Sequence, residues 1–170
     1  MEFKAGTSSH QKNEAIDLIQ LVSFKVGEEE FGVDILKVQE INKMTLITRV
    51  PNAPDFVEGV INLRGRVIPI VDLRKRLGLP EKKHDKNTRI IVVEIARMTI
   101  GFIVDAVSEV LRISRDITEK PPELVAGIDA DYITAVAKLE DRLLILLDLD
   151  KVLSKDEKDI FGAAESVSTN

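Results

Sequence analysis

The chain of 170 residues carries 24 Lys+Arg against 29 Asp+Glu, a formal net charge of −5, and no cysteine. Disulfide frameworks and cysteine-ligated metal centres are excluded, and an acidic chain with one Tyr, six Phe and no Trp lacks the positive field and stacking rings of a nucleic-acid surface. With 44% hydrophobic residues it can bury the core of one globular domain or of two small lobes.

Residues 1–13 form a polar head without the apolar run of a secretory signal, and no stretch approaches the ~20 apolar residues of a spanning helix. A cytoplasmic location without membrane insertion is expected. The folded part spans residues 16–153. Leu21, Ser23 and Lys25 alternate with Val22, Phe24 and Val26, which is strand chemistry. Gly27 and three glutamates make a hairpin tip before a second strand at 31–33, and a bent strand follows through Val38, Glu40 and Ile41. Leu63-Arg64-Gly65-Arg66 makes a further tip between strands at 57–63 and 67–71. Asp72 is placed to cap a short helix over 73–77, its carboxylate accepting an orphan N–H. After the charged connection 80–87 the same order recurs, ending with Asp148 before a helix over 149–153. The head, 1–13, and the polar tail, 154–170, are expected to be disordered.

That recurrence is an internal repeat. A shift of 69 places Phe24 on Val93, Gly32 on Gly101, Val38 on Val107, Glu40 on Glu109 and Ile41 on Val110. A shift of 76 places Phe56 on Tyr132, Val60 on Val136, Arg66 on Arg142, Asp72 on Asp148 and Leu77 on Leu153. The second copy therefore holds about seven extra residues between Val110 and Tyr132. Five short strands in a unit of about 70 residues point to a small closed or nearly closed barrel, because an open sheet of that size leaves edges and apolar faces exposed. So small a unit makes a modest core alone, and the two are expected to pack on each other.

Catalysis requires a nucleophile with a base, paired carboxylates in a cleft, or metal ligands. His10 and His84 lie in the head and the charged connection without an orienting partner. Asp129 and Asp131 lack the spacing and glycine of a calcium loop, and the segment from Gly59 to Gly65 lacks the Gly-Lys-Ser/Thr end of a phosphate loop. No catalytic residue, metal or cofactor is expected.

The repeat separates what folding needs from what it does not. Gly32 and Gly101, Asp72 and Asp148, and Arg66 and Arg142 are kept in both copies, so folding accounts for them. Arg64 instead aligns with Glu140, and Gly65 with Asp141. The tip thus needs Gly65 or a residue like it, but not Arg64. A guanidinium at a tight tip suits a bidentate contact with a partner's carboxylate, with a solvated surface arginine as the alternative. Glu40 and Glu109 are kept in both copies and are read equally well as charges satisfied within their own lobes. Periodicity favours core over interface for Val38, Val107 and Val110.

The segment Gly59-Val60-Ile61-Asn62-Leu63-Arg64-Gly65, followed by Pro69-Ile70-Val71-Asp72-Leu73-Arg74, closely resembles the CheW family of bacterial chemotaxis coupling proteins. The match continues in Val38-Gln39-Glu40-Ile41, in Gly101-Phe102-Ile103-Val104-Asp105 and in Leu146-Leu147-Asp148-Leu149, and covers about residues 16–153. The resemblance implies an all-β fold of two intertwined SH3-like five-stranded barrel subdomains with short helices, at about 16–80 and 88–153. It implies a non-catalytic adaptor that joins chemoreceptor cytoplasmic tips to the regulatory domain of the histidine kinase CheA, and so is recruited to membrane-bound arrays. By the same resemblance Arg64, Glu40, Val38, Gly59, Gly65, Gly101, Val107 and Val110 contact receptor or kinase. Seven aromatics are too few for a proline-binding groove, and an aliphatic groove between the barrels, rimmed by Arg64 and Glu40, suits a receptor helix hairpin instead. The alternative is a stand-alone barrel module for a small ligand or another protein.

Overall fold

The structure, a computed structural model, describes residues 17–121, 131–154 and 157–158. The head at 1–13, His10, Asp129 and most of the tail lie outside them. In chain order the elements are β1 (Leu18–Val26), β2 (Glu29–Asp34), β3 (Val38–Lys43), β4 (Val57–Leu63), β5 (Arg66–Asp72), α1 (Leu73–Arg76), β6 (Arg89–Ile95), β7 (Met98–Val104), β8 (Ala106–Ser114), β9 (Thr118–Glu119), β10 (Ile133–Lys138), β11 (Leu143–Leu147) and α2 (Leu149–Val152). The fold is all-β, two small barrels with short helices.

The repeat appears element by element: β1, β2 and β3 correspond to β6, β7 and β8, while β4, β5 and α1 correspond to β10, β11 and α2. Aligned apolar core positions share their burial. Phe24 and Val93 are both 0% exposed, and Ile68 at 2% matches Leu144 at 0%.

The strands nevertheless do not sort by half. One sheet runs β8-β1-β2-β11-β10-β9 and the other β3-β6-β7-β5-β4. Each copy's first hairpin is inserted into the other copy's barrel, with β1 antiparallel to β8 and β2 parallel to β11, and symmetrically β6 against β3 and β7 against β5. The division at 16–80 and 88–153 follows the repeat and not the barrels. Without the exchange, β3 and β5 would be open edges, and covering such edges is a standing requirement of small sheets.

Closure comes from the bent strand. β3 pairs with β6 on one edge, and the chain beyond it reaches β4 on the other through a Thr48–Val60 bridge. In the second barrel β8 pairs with β1, and β9, beyond the bend, pairs with β10. The bulges that turn these strands, between Val38 and Glu40 and opposite Ser23 and Phe24, fall at matching positions of the two copies.

Each barrel has its own apolar cluster, Ile61, Ile68, Ile70, Ile90, Val92 and Ile103 in one and Leu21, Ile113, Ala137, Leu144 and Leu146 in the other. Between them a larger core draws Phe24 and Phe31 from the first half together with Val93, Phe102 and Leu147 from the second. Asp105 pins the halves further, accepting hydrogen bonds from the Gly27 backbone N–H at 2.8 Å and from the Arg74 guanidinium.

The short helices are capped as their sequences require: the Asp72 side chain accepts from the Arg74 N–H and Asp148 from the Asp150 N–H. The tail departs from expectation at its start. Ser154 and Glu157 form a reciprocal capping box, Glu157 Oε1 accepting from the Ser154 N–H at 2.7 Å and Ser154 Oγ from the Glu157 N–H at 3.2 Å. Arg76 holds that turn through its guanidinium on Glu157 and Val152 O.

Burial raises the Asp72 carboxyl above its ordinary range, only partly opposed by the Arg74 N–H. A carboxyl with a folded pKa above its unfolded value holds its proton more tightly when folded. Its charge therefore costs stability at neutral pH, and the cost fades as pH falls through the folded value. Asp72→Asn keeps the cap acceptor without the charge. Urea titrations across pH are expected to show the variant more stable than the parent at neutral pH, with the gap closing in acid.

Candidate functional site: the seam of the first barrel

The tip between β4 and β5 has two successive residues in the left-handed region, Arg64 at φ 52° and Gly65 at φ 84°. That is the type I′ geometry which matches strand twist, and Asn62 Oδ1 steadies it by accepting from the Gly65 N–H at 2.8 Å. The aligned tip is built differently: Glu140 and Asp141 have no positive φ, and the turn closes with the Leu139 N–H on Arg142 O at 2.9 Å. Alignment of Arg64 with Glu140 therefore does not compare like with like. An L-residue at position 64 must adopt a strained backbone that its counterpart avoids.

The tip leans across the opening between the two edge strands of its sheet. Arg64 Nη1 donates to Glu40 Oε2 at 2.9 Å, and Nη2 to Oε1 at 2.7 Å and Oε2 at 2.8 Å. Arg64 and Glu40, 24 residues apart in sequence, form one bidentate pair over the β3–β4 seam. The carboxylate expected from a partner is supplied by the chain itself. The pair is lopsided, with the arginine side chain 69% exposed and the glutamate 25%. Glu40 lies opposite Val92 in the β3–β6 ladder, so its stem stands on the apolar cluster and only its head reaches the rim.

The second barrel carries no bidentate ion pair across its seam among the described residues. Arg142 Nε donates to Glu30 Oε1 at 2.7 Å, and Glu109 lies 3.6 Å from its Nη2. Glu30, only 9% exposed, is the main partner and holds the Arg142 guanidinium firmly protonated. Arg66, the counterpart of Arg142, meets Thr99 instead of an acid, with Nη2 3.1 Å from Thr99 Oγ1.

The remaining expected site residues divide. Gly59 (φ 147°) is structural: a Cβ there would lie 2.1 Å from the Thr48 carbonyl oxygen. Gly101 is packed under β5, where a Cβ would meet Ile70 Cδ1 at 2.6 Å and Ile90 Cγ2 at 2.8 Å. Gly65 faces open space and serves its turn. Val38 and Val107 are half-buried against the shared core, as periodicity suggested. Val110 is not core: it is 57% exposed on β8, the outer strand of the other sheet. Ile41, its counterpart on β3, is 40% exposed, and Leu46 on the connection beyond is 86% exposed. The 69 shift from Val110 marked Ile41; nothing in the pattern marked Leu46.

A cleft of about 560 Å³ beside Phe56, Lys75, Arg76 and Glu81 has both cations already engaged, Lys75 by Glu58 and Glu81 and Arg76 by Glu157. Those carboxylates push the Lys75 ammonium well above its ordinary pKa.

Comparison with known proteins converges on one family. The model of the CheW-like domain matches residues 20–157. A chemotaxis protein CheW of Klebsiella aerogenes is 41% identical over 138 residues, 81% of this chain and 83% of that one. The Helicobacter pylori chemotaxis protein CheW is 37% identical over 156 residues, 91% of this chain and 92% of its own. The solved scaffolding protein TtCheW from Thermoanaerobacter tengcongensis superposes with a TM-score of 0.75 at 40% identity, covering 82% of this chain and 94% of that one.

Two substitutions separate fold from surface. Gly59→Ala forces a Cβ into the Thr48 carbonyl and is expected to cost about 3 kcal/mol or more in urea unfolding. Val110→Ser, on an exposed position, is expected to change stability by no more than about 0.5 kcal/mol in the same measurement.

Proposed function

The chain belongs to the CheW-like family of chemotaxis scaffold proteins, and from that membership and the seam geometry we propose that it couples chemoreceptor cytoplasmic tips to the histidine kinase CheA without catalysing a reaction. The observation that carries this is the asymmetry of the Arg64–Glu40 pair, an exposed guanidinium over a half-buried acid. The Nε of Arg64 has no partner among the described residues. An arginine carries donors enough to receive a second carboxylate, and a planar fork gives it register as well as strength. Arg64 and Glu40 are the polar anchors of this surface. Ile41 on β3 and Val110 on β8 of the other sheet are exposed apolar positions open to further partner contact, and Val38 and Val107 lie against the shared core. Gly59, Gly65 and Gly101 act by shaping the barrel that presents it. The kinase's regulatory domain is the second partner, and the site of action is the cytoplasmic face of the receptor array. Among the described residues no helix is long and apolar enough to cross a membrane. A small-ligand module is less well supported, because the cleft at Phe56 presents its cations already neutralised.

Arg64→Glu tests the reading. One L-residue replaces another at φ 52°, and an exposed ion pair contributes only about 0.2–1 kcal/mol, so stability should fall by roughly 1 kcal/mol or little more, including the new repulsion from Glu40. Binding should weaken by about 2–5 kcal/mol for a desolvated contact. The measurement pairs thermal melting with calorimetric titration of a receptor tip fragment and, separately, the kinase regulatory domain. Receptor binding is expected to suffer more. A normal melt with both affinities unchanged would remove Arg64 from the interface.

A further inference from the structure

Asn42 lies two residues beyond Glu40 on β3, opposite Ile90 as Glu40 lies opposite Val92. Residues at i and i+2 of a strand share a face, and directly opposed residues of an antiparallel ladder point the same way. The Asn42 amide and the Glu40 side chain therefore both stand over the cluster of Ile61, Ile68, Ile70, Ile90 and Val92. The Asn42 Nδ2 is buried and makes no hydrogen bond among the described residues. A buried donor left unpaired is a standing cost to the fold.

Folding does not require that cost. The 69 shift places Leu111 at the position of Asn42, and Leu111 packs against the corresponding cluster of Leu21, Ile113 and Leu144. The barrel that keeps the orphan amide is the one whose seam acid is held by an exposed arginine. In the barrel with Leu111 the counterpart acid, Glu109, is itself 55% exposed, and Arg142 rests chiefly on Glu30. The polar residue accompanies the releasable arginine.

We infer that Asn42 is a reserve hydrogen-bond donor for Glu40. When an acidic group of a partner draws Arg64 away, the Glu40 carboxylate remains half-buried with no cation, and the Asn42 amide turns onto it. Same-face neighbours along a strand stand about 6.6–6.8 Å apart, a gap that a glutamate and an asparagine side chain span together by χ rotation. Asn42 is a positioning residue in this scheme. It touches no partner, and it lowers the cost of releasing Arg64. The inference rests on Arg64 being the group a partner takes, but its test contains no partner and so stands apart from the binding experiment.

The test is a double-mutant cycle on the full chain, with thermal melting of the parent, Arg64→Ala, Asn42→Leu and the double variant. Asn42→Leu alone should melt higher than the parent, as removal of an orphan donor requires. Arg64→Ala should then lower the melting temperature by about 3–12 °C more in the Asn42→Leu background than in the parent, the range expected for one lost hydrogen bond to a charged group in a chain of this size. The same cycle with Asn42→Ala removes the donor without added bulk and should give the same excess loss, which decides the matter if the leucine overpacks. The NMR resonances of the Asn42 side-chain amide supply a readout that packing does not move, with a downfield shift of its Nδ2 protons in Arg64→Ala relative to the parent. Equal losses on Arg64→Ala in all three backgrounds, with unchanged Asn42 amide resonances, would overturn the inference.

Discussion

The exchange of first hairpins between the two halves is the constraint on which the rest of this structure depends. Neither half can complete a barrel alone, because β3 and β5 of the first need β6 and β7 of the second, and β8 and β11 need β1 and β2. The exchange converts two marginal units of about 70 residues into one body with a common core, which is how so short a chain escapes the surface-to-volume penalty of small domains. It also explains why side chains from both halves meet at Asp105, which joins the β1–β2 turn and α1 to the end of β7.

Exchange leaves each barrel with one seam, between the strand that bends and the hairpin it must reach. Regular backbone pairing spans little of it, a single Thr48–Val60 bridge in the first barrel and the short β9 ladder in the second. Side chains complete the closure, and the two barrels use different ones. In the second, only the 3.6 Å approach of Arg142 to Glu109 reaches β8, while its shorter contact with the nearly buried Glu30 lies within the sheet, between neighbouring β11 and β2. In the first, the arginine sits on the turn itself and faces solvent. Ion pairs of that exposure contribute little to stability, so such a pair can be broken and remade at small cost, whereas breaking a buried one leaves an uncompensated charge. The first seam thus carries an exposed bidentate ion pair that the second lacks.

Much of this was legible in the chain itself. Period-two alternation, turn residues and the caps at Asp72 and Asp148 are local signals, set by backbone geometry and the first shell of hydrogen bonds, and each element they marked exists. The double shift of 69 and 76 identified the duplication because aligned apolar residues occupy aligned barrel positions. The capping box at Ser154 and Glu157 was equally local, and the acidic run around it obscured the pattern.

Three features were settled only by tertiary structure, each because it depends on which strands become neighbours. The partition of strands into barrels could not be read from the repeat, since an exchanged pair and an unexchanged pair of halves have the same sequence. The Arg64–Glu40 pair joins residues 24 apart whose approach requires β3 and β4 to be the two edges of one sheet. Val110 shows the same limit at a single residue: strand periodicity places it on one of two faces, but whether that face meets core or solvent is decided by what packs against β8. Sequence determined the elements, their order and their duplication, because those follow from short-range sterics and hydrogen bonding. The seam, and with it the chemistry of the surface, was decided by long-range strand pairing, which no local pattern encodes.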